Sequence, residues 1–260
     1  MKPNLFPVQH LGPMPFGYSK PQLIAFNDGM KYVVKFKNNP TGTRVLVNEY
    51  VAARLAQLLG VPIAPFYIVP ISDSFIRESS FHSKYHFQAG QQFASLYIEN
   101  CSLLISDFIR REGPRIMNRE ALAGMLVFDL WLSNTDRKEK NVLLQDCGED
   151  AFKLYLIDHG RCFANSNWTP DTLQNVRMNL ELSVHKWGFS LLKGREELIP
   201  HMEKAASVSD TVIYNILDSI PEDWEVSALD REALYAYLLK AQRELPTIVE
   251  EFIKKTGSAE

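Results

Sequence analysis

The stretch LSNTDRKEKNVLL, Leu132 to Leu144, places Asn134, Asp136, Arg137, Lys140 and Asn141 side by side and then turns abruptly apolar. A solvated loop leading into a hairpin accounts for that composition. So does a site that handles phosphate, a metal ion and a proton together. Asp136 and Asn141 are separated by four residues, RKEK, so a carboxylate and an amide can curl around one spot. A carboxylate there can take the proton of an attacking hydroxyl, and an amide oxygen can coordinate a hard cation. Lys140 or Arg137 would neutralise charge on a transferring phosphoryl group. Taken alone, the loop leaves both readings open.

Its neighbours in the chain weigh in. Downstream, LYLIDHG closes an apolar run with Asp158, followed by His159 and Gly160. Aspartate before glycine is commonly a turn former. At a strand end it is also well placed for Mg2+, which prefers carboxylate oxygen. Upstream, Lys35 sits in KYVVKFK, an otherwise apolar strand pattern. A buried ammonium needs an anion, and Glu49 near the start of the next helix is the natural partner. A structural ion pair or a sheet-edge lysine explains Lys35 more readily when it is considered by itself.

Composition narrows the class. A chain of 260 residues, 46% hydrophobic and 23% charged, suits one large globular domain or two lobes sharing a cleft. The net charge of -3 and the lack of a long basic run give nucleic-acid binding little support. The three cysteines, Cys101, Cys147 and Cys162, have no CxxC spacing, which argues against a structural zinc site or a disulfide framework. No apolar run reaches the roughly 18 residues of a membrane span, and prolines interrupt the N-terminal stretch where a secretory signal would need a continuous core. A cytoplasmic protein without a membrane partner is expected.

Pattern divides the chain into a strand-rich first third and a helix-rich remainder. PQLIAFNDGMKYVVKFK reads as a hairpin around Asn27, Asp28 and Gly29. Thr43 to Leu59 shows helical spacing at Val47, Val51, Leu55, Leu58 and Leu59, with Gly60 as a stop. PIAPFYIVPI and QQFASLYIEN read as two more strands, and the polar stretch between them, which holds His82 and His86, as a loop. NREALAGMLVFDLWLSN reads as a buried helix capped at Asn118. NVLLQDCGEDAFKLYLIDHG is a second hairpin, and further helices are expected near 195–206, 209–219 and 230–255. His185 and His201 read as packing or surface residues. The expected fold is α+β and bilobal: a small mixed-sheet N-lobe with one helix over residues 1–101, and a mostly helical C-lobe over 102–260.

A strand lysine, a helix glutamate, an Asp-x4-Asn loop, a hairpin and a strand-end Asp-x-Gly follow the order of a protein kinase. More closely, NTDRKEKNVLL with LIDHG, YVVKF and NEYVAARLAQLLG resembles the HipA-like kinase family, clearly over about residues 10 to 165. The resemblance implies ATP and Mg2+ as cofactors. It assigns Lys35 to the ATP phosphates, Glu49 to Lys35, Asp136 to the role of base, and Asn141 and Asp158 to the metal. The sequence departs from ordinary protein kinases in having Asn134 and Thr135 before Asp136 in place of His-Arg, and His159 in place of the phenylalanine of Asp-Phe-Gly. No G-x-G-x-x-G is present. The candidate phosphate loop is LGPMPFGYSKPQ, where backbone around Gly17, Tyr18 and Ser19 can approach phosphate closely. By resemblance, Ser19 is the candidate for autophosphorylation; otherwise the segment is a Pro/Gly-rich arm. YIEN, Tyr97 to Asn100, takes the place of a hinge, which would set adenine against backbone near Glu99 and Cys101, among Leu23, Val33 and Ile157.

The leading expectation is an ATP- and Mg2+-dependent kinase acting on serine or threonine of a protein substrate, with any antitoxin or regulator a separate chain. A small-molecule kinase of the aminoglycoside or choline type shares the Asp-x4-Asn logic and would be favoured by clustered acids, for which Glu222, Asp223 and Glu225 are candidates. A nucleotide-binding pseudokinase is the third reading; the intact set of five positions weighs against it.

Overall fold

The computed structural model describes residues 5–79, 86–109, 115–163, 165–176 and 182–257. His82 lies outside them. The first lobe is built on β1 (Pro7–Pro13), β2 (Gln22–Phe26), β3 (Lys31–Lys35), α1 (Arg44–Leu59), β4 (Phe66–Ile71), α2 (Asp73–Glu78) and β5 (Gly90–Leu96). The strands form one five-stranded sheet in the order β1-β2-β3-β5-β4, and every pairing is antiparallel, where a mixed sheet was expected. The β2–β3 hairpin turns through Gly29, whose φ of 78° suits a residue without Cβ. Ile24, Phe26, Tyr32 and Val34 face one side and form a small apolar core with Val69, Ile71 and Ala94. The period of two then sends Val33 and Lys35 to the other face, toward α1 and the second lobe.

Helix α1 ends as its sequence implies, with Gly60 at φ 71° closing onto the carbonyls of Ala56 and Gln57. Its central residues are buried around most of the circumference, Asn48 and Glu49 included, because sheet and second lobe enclose it from opposite sides.

The second lobe follows the hinge: β6 (Cys101–Leu103), α3 (Ser106–Ile109), β7 (Arg115–Ile116), α4 (Glu120–Trp131), β8 (Val142–Asp146), β9 (Ala151–Leu156), α5 (Pro170–Gln174), α6 (Ser183–Ser190), α7 (Ile199–Ala206), α8 (Asp210–Asp218) and α9 (Ala228–Gly257). Strands β6, β8, β9 and β7 make a small sheet at the floor of the cleft. Helix α4 is buried from Ala121 to Trp131 and packs on α9, α6 and α7, so it is the axis of the lobe. It begins at Glu120, not at the expected cap Asn118. The Asn118 amide instead exchanges two hydrogen bonds of 2.9 Å with the Leu154 backbone, which draws it onto β9. Among the described residues, no helix is long and apolar enough to cross a membrane.

Candidate active site

Lys35 comes to the cleft from β3 and Glu49 from α1. The Lys35 ammonium is ion-paired with Glu49 Oε1 and lies 2.7 Å from Asp158 Oδ1, a residue of the other lobe. Lys35 and Glu49 are buried. Burial alone would lower the lysine pKa, but the charges of Asp158 and Glu49 outweigh it and hold the ammonium above its ordinary value. Burial would likewise raise the Glu49 carboxyl. The Lys35 charge and the bond from His159 overcome it, so Glu49 is held well below the usual carboxylate range. The second Glu49 oxygen accepts the His159 backbone N–H at 3.1 Å, so one carboxylate ties β3 to the segment after β9.

That segment is shaped for the task. Asp158 adopts a φ of 56°, sparsely populated for a residue with Cβ, at the bend where the chain leaves the strand. Gly160 runs against α1, and a Cβ there would stand 2.9 Å from Val45 Cγ1. Asn48, fully buried, donates from Nδ2 to the carbonyls of Gly160, Cys162 and Asn165 at 2.9 to 3.0 Å. Its Oδ1 accepts the Trp168 indole N–H at 2.7 Å. One asparagine of α1 thereby fixes the course of the chain beyond the Asp158 bend. His159 is buried edge-on against Phe128, with 5.6 Å between ring centres.

The loop after α4 divides its charges by depth. Arg137 is fully buried and makes a two-pronged pair with Asp129, Nε to Oδ2 at 2.8 Å and the second prong at 3.1 Å. Its remaining nitrogen donates to the Asn141 carbonyl at 2.8 Å and the Ile157 carbonyl at 2.9 Å. Asn134 and His185 complete the coordination of Asp129 at 2.8 and 3.0 Å. Burial would raise the Asp129 carboxyl; Arg137 and His185 prevail and keep it well below its usual value. Arg137 is thus the post of the loop and has no nitrogen to spare for phosphate. Asp136 and Asn141 are tied to each other in the same loop, and of the two Asn141 lines the cleft. The Asn134 amide oxygen accepts the Asp136 N–H at 3.1 Å, and Asn141 donates Nδ2 to the Asp136 carbonyl at 2.6 Å. Lys138 caps Asp136 Oδ1 at 2.5 Å. Lys140 is exposed, with Nζ 5.8 Å from the centre of the Tyr18 ring, so the loop of residues 136–141 and the turn of residues 17–20 approach each other at the cleft mouth.

A cleft of about 290 Å³ joins these pieces. Gly17, Ser19, Val33, Lys35, Glu49, Cys101, Lys140, Asn141, Ile157 and Asp158 all line it. Gly17 has φ 113°, and its N–H-bearing turn is closed by the Lys20 N–H bond to the Gly17 carbonyl at 3.1 Å. Ser19 is buried and points within reach of the cleft, while Tyr18 is exposed over Lys140. The hinge lines the cleft through Leu96, Tyr97 and Ile98 rather than through Glu99, whose carboxylate is drawn outward to Lys31 at 2.9 Å. Leu23 is not among the lining residues. Burial, and then the neighbouring Cys147, push the Cys101 thiol up, which leaves it a weak nucleophile.

The donor set suits a divalent cation that arrives with phosphate. Asn141 spends its amide nitrogen on Asp136, which leaves the amide oxygen as the ligand atom, and Asp158 uses Oδ1 on Lys35. Among the described residues no three His, Cys, Asp or Glu side chains cluster to cage a metal. Mg2+ is ordinarily held by one or two carboxylates plus substrate phosphates. The acids proposed for a small-molecule acceptor are not among the residues that line the cleft; Asp223 pairs with Lys37 at 3.1 Å.

Sequence reading missed Asn48, Asp129 and the roles of Arg137 and His185. An acid and an asparagine in otherwise apolar helix runs were the available signal, since such groups persist in a core only with partners.

A family model described as HipA-like kinase matches residues 8–251. No curated protein sequence matches the chain. Among solved structures, the Helicobacter pylori proinflammatory kinase CtkA aligns with a TM-score of 0.60 at 14% identity, over 92% of this chain and 95% of that one. The Golgi casein kinase aligns at a TM-score of 0.52 and 15% identity, over 98% of this chain and 74% of its own. The same kinase with Mn and ADP bound gives 0.51 and 14%, over 93% and 73%. At such identities the structural likeness carries the fold, which is that of the protein kinases. The match of the family model across nearly the whole length carries the membership: this chain belongs to the HipA-like kinase family.

Proposed function

We propose that the chain is an ATP- and Mg2+-dependent protein kinase that phosphorylates serine or threonine. The observation that carries this reading is the meeting of Lys35 with both Glu49 and Asp158 at one wall of a cleft that Asn141 and Lys140 also line. Lys35 is positioned to hold nucleotide phosphates while Glu49 keeps it charged and oriented. Asn141 and Asp158 would hold Mg2+, which when bound offsets the charge of the phosphates. Asp136 takes the proton of the incoming hydroxyl, and Lys140 neutralises charge developing on the transferred group. Adenine occupies the apolar end between Val33, Ile157 and the hinge, and Ser19, which lines the cleft, is the internal acceptor.

Incubation of the purified protein with ATP and Mg2+, followed by mass spectrometry beside an Asp136→Ala control, tests this directly. Phosphate on Ser19 or another serine or threonine in the wild type alone supports the proposal. Nucleotide binding without any phosphate transfer to itself or to protein acceptors favours a small-molecule kinase or a pseudokinase. The lack of any nucleotide-induced thermal shift would sink the assignment.

A further inference from the structure

Residues 219–230, from the end of α8 through the first turn of α9, belong by sequence to the helical lobe, yet their polar contacts reach the sheet lobe. Asp223 Oδ2 lies 3.1 Å from Lys37 Nζ and accepts the Gln91 N–H at 2.8 Å. Buried Trp224 donates its indole N–H to the Gln91 carbonyl at 2.8 Å and meets Tyr50 edge-on, with 6.1 Å between ring centres. Ser219 and the Tyr50 hydroxyl share a hydrogen bond of 2.7 Å. Asp230 pairs with Arg44, the first residue of α1, at 2.6 Å. Gly90, at φ 126°, marks the crossing point on β5, where a Cβ would overlap the Asp223 carboxylate and the Lys37 ammonium.

These anchors bracket the Lys35–Glu49 pair. Lys37 stands two residues beyond Lys35, and Tyr50 is next to Glu49 in the chain. Helix α1 can therefore swing away from β3 only by giving up the Tyr50, Trp224 and Arg44 contacts together. β3 is held from its own end through Lys37. An ion pair between two long-stemmed groups is weak when it must order them itself and stronger when neighbours order them in advance.

We propose that the 219–230 segment is a strap between the lobes, and that Asp223 and Trp224 are positioning residues which keep Lys35 and Glu49 in register for nucleotide. The proposal rests on the reading of Lys35 as a ligand of nucleotide phosphate. It makes the C-lobe responsible for the setting of a helix that belongs to the N-lobe.

The test is a double-mutant cycle on nucleotide affinity. Dissociation constants for a non-hydrolysable ATP analogue with Mg2+ are measured by calorimetry for wild type, Asp223→Ala, Glu49→Gln and the double variant. Asp223→Ala is expected to weaken binding by about fivefold to tenfold in the wild-type background and by less than about twofold beside Glu49→Gln, since the strap then has no pair left to hold. Equal losses in both backgrounds, or no loss in either, overturn the proposal and leave the strap a structural brace. Lys37→Gln cuts the same contact from the other lobe and takes the place of Asp223→Ala if that variant folds poorly. Hydrogen exchange over residues 44–59, read without nucleotide, separates the two layers of the argument. A wild type that binds no analogue defeats the kinase reading. Unchanged exchange across α1 in Asp223→Ala defeats the strap whatever the cleft binds, and faster exchange across α1, beyond the freed Gln91 amide of β5, supports it.

Discussion

Arg137 and Asp129 form a two-pronged ion pair in which neither side chain has any solvent exposure. The guanidinium also binds the carbonyls of Asn141, just before β8, and Ile157, just after β9. Removing one partner leaves the other charge buried and alone, which costs roughly 3–5 kcal/mol. Arg137→Ala is therefore expected to unfold the chain at markedly lower urea concentration. Lys140→Ala, at the surface, should leave the melting temperature in place and slow phosphoryl transfer by roughly tenfold to a hundredfold. Equal loss of stability in both variants would contradict the division of labour.

Asp136→Ala is expected to lower kcat by about 10²–10⁴-fold, the usual span for a positioned base. Affinity for ATP should change by no more than about twofold, because the base acts on the acceptor hydroxyl and not on the nucleotide. Calorimetry and single-turnover rates measured on one sample check both halves. Transfer at the wild-type rate would remove Asp136 from the mechanism.

Lys35→Ala removes the positive charge facing Glu49 and Asp158. Weaker nucleotide binding is expected, together with a stability loss that is greater at pH 8 than at pH 5. Without Lys35, burial raises the folded pKa of Glu49, so the penalty for its charge is present at high pH and relieved as protons bind. A loss independent of pH would mean that Glu49 finds another cation.

In the wild type the signs run the other way on the acid side. Glu49 and Asp129 both have folded carboxyl values below their unfolded ones. Their stabilising contributions are complete above the unfolded value of about 4 and are lost as pH falls below it toward the folded values. Lys35 is raised, so its contribution is complete below the unfolded lysine value of about 10.4 and is lost only as pH rises through the folded one. Thermal melts should therefore be level with respect to these groups from about pH 5 to pH 9 and fall steeply below about pH 4. Asp129→Asn should be less stable throughout but fall less steeply.

Gly160→Ala forces a methyl group toward Val45 on α1 at 2.9 Å. Overpacking of this kind costs about 1–3 kcal/mol. Because α1 carries Glu49, nucleotide affinity should fall along with the melting temperature. Val45→Ala in the same chain should restore part of both, and failure to do so would place the defect in the backbone instead.

The local elements were legible wherever one periodicity acted alone. The Asn27–Gly29 hairpin, the helix ending at Gly60 and the hairpin around Gly148 each carry their own turn or cap residue. β1 escaped notice because its prolines and two register shifts break the alternation, and only pairing with β2 makes it a strand. α2, α5 and α6 are too short for a helical period to emerge from sequence. The cap at Asn118 was misplaced because its amide had a stronger option, a backbone partner on β9 that is distant in sequence.

By itself, the sequence determined the order of the chemical groups: a lysine, a glutamate, an aspartate, an asparagine and an aspartate on elements of recognisable period. That is enough to name a family by resemblance, because spacing along the chain is local information. Only the tertiary structure decided which charges are buried against partners and which stay at the cleft. Arg137 and Lys140 look equivalent in a run of polar residues. One is sealed in the core by an aspartate on α4 and the other is left at the cleft mouth. The acids of residues 222–225 likewise gave no hint that Asp223 would turn toward the opposite lobe. The energy of a charge depends on how far it is withdrawn from water and on what faces it there, and both are settled by residues many positions away.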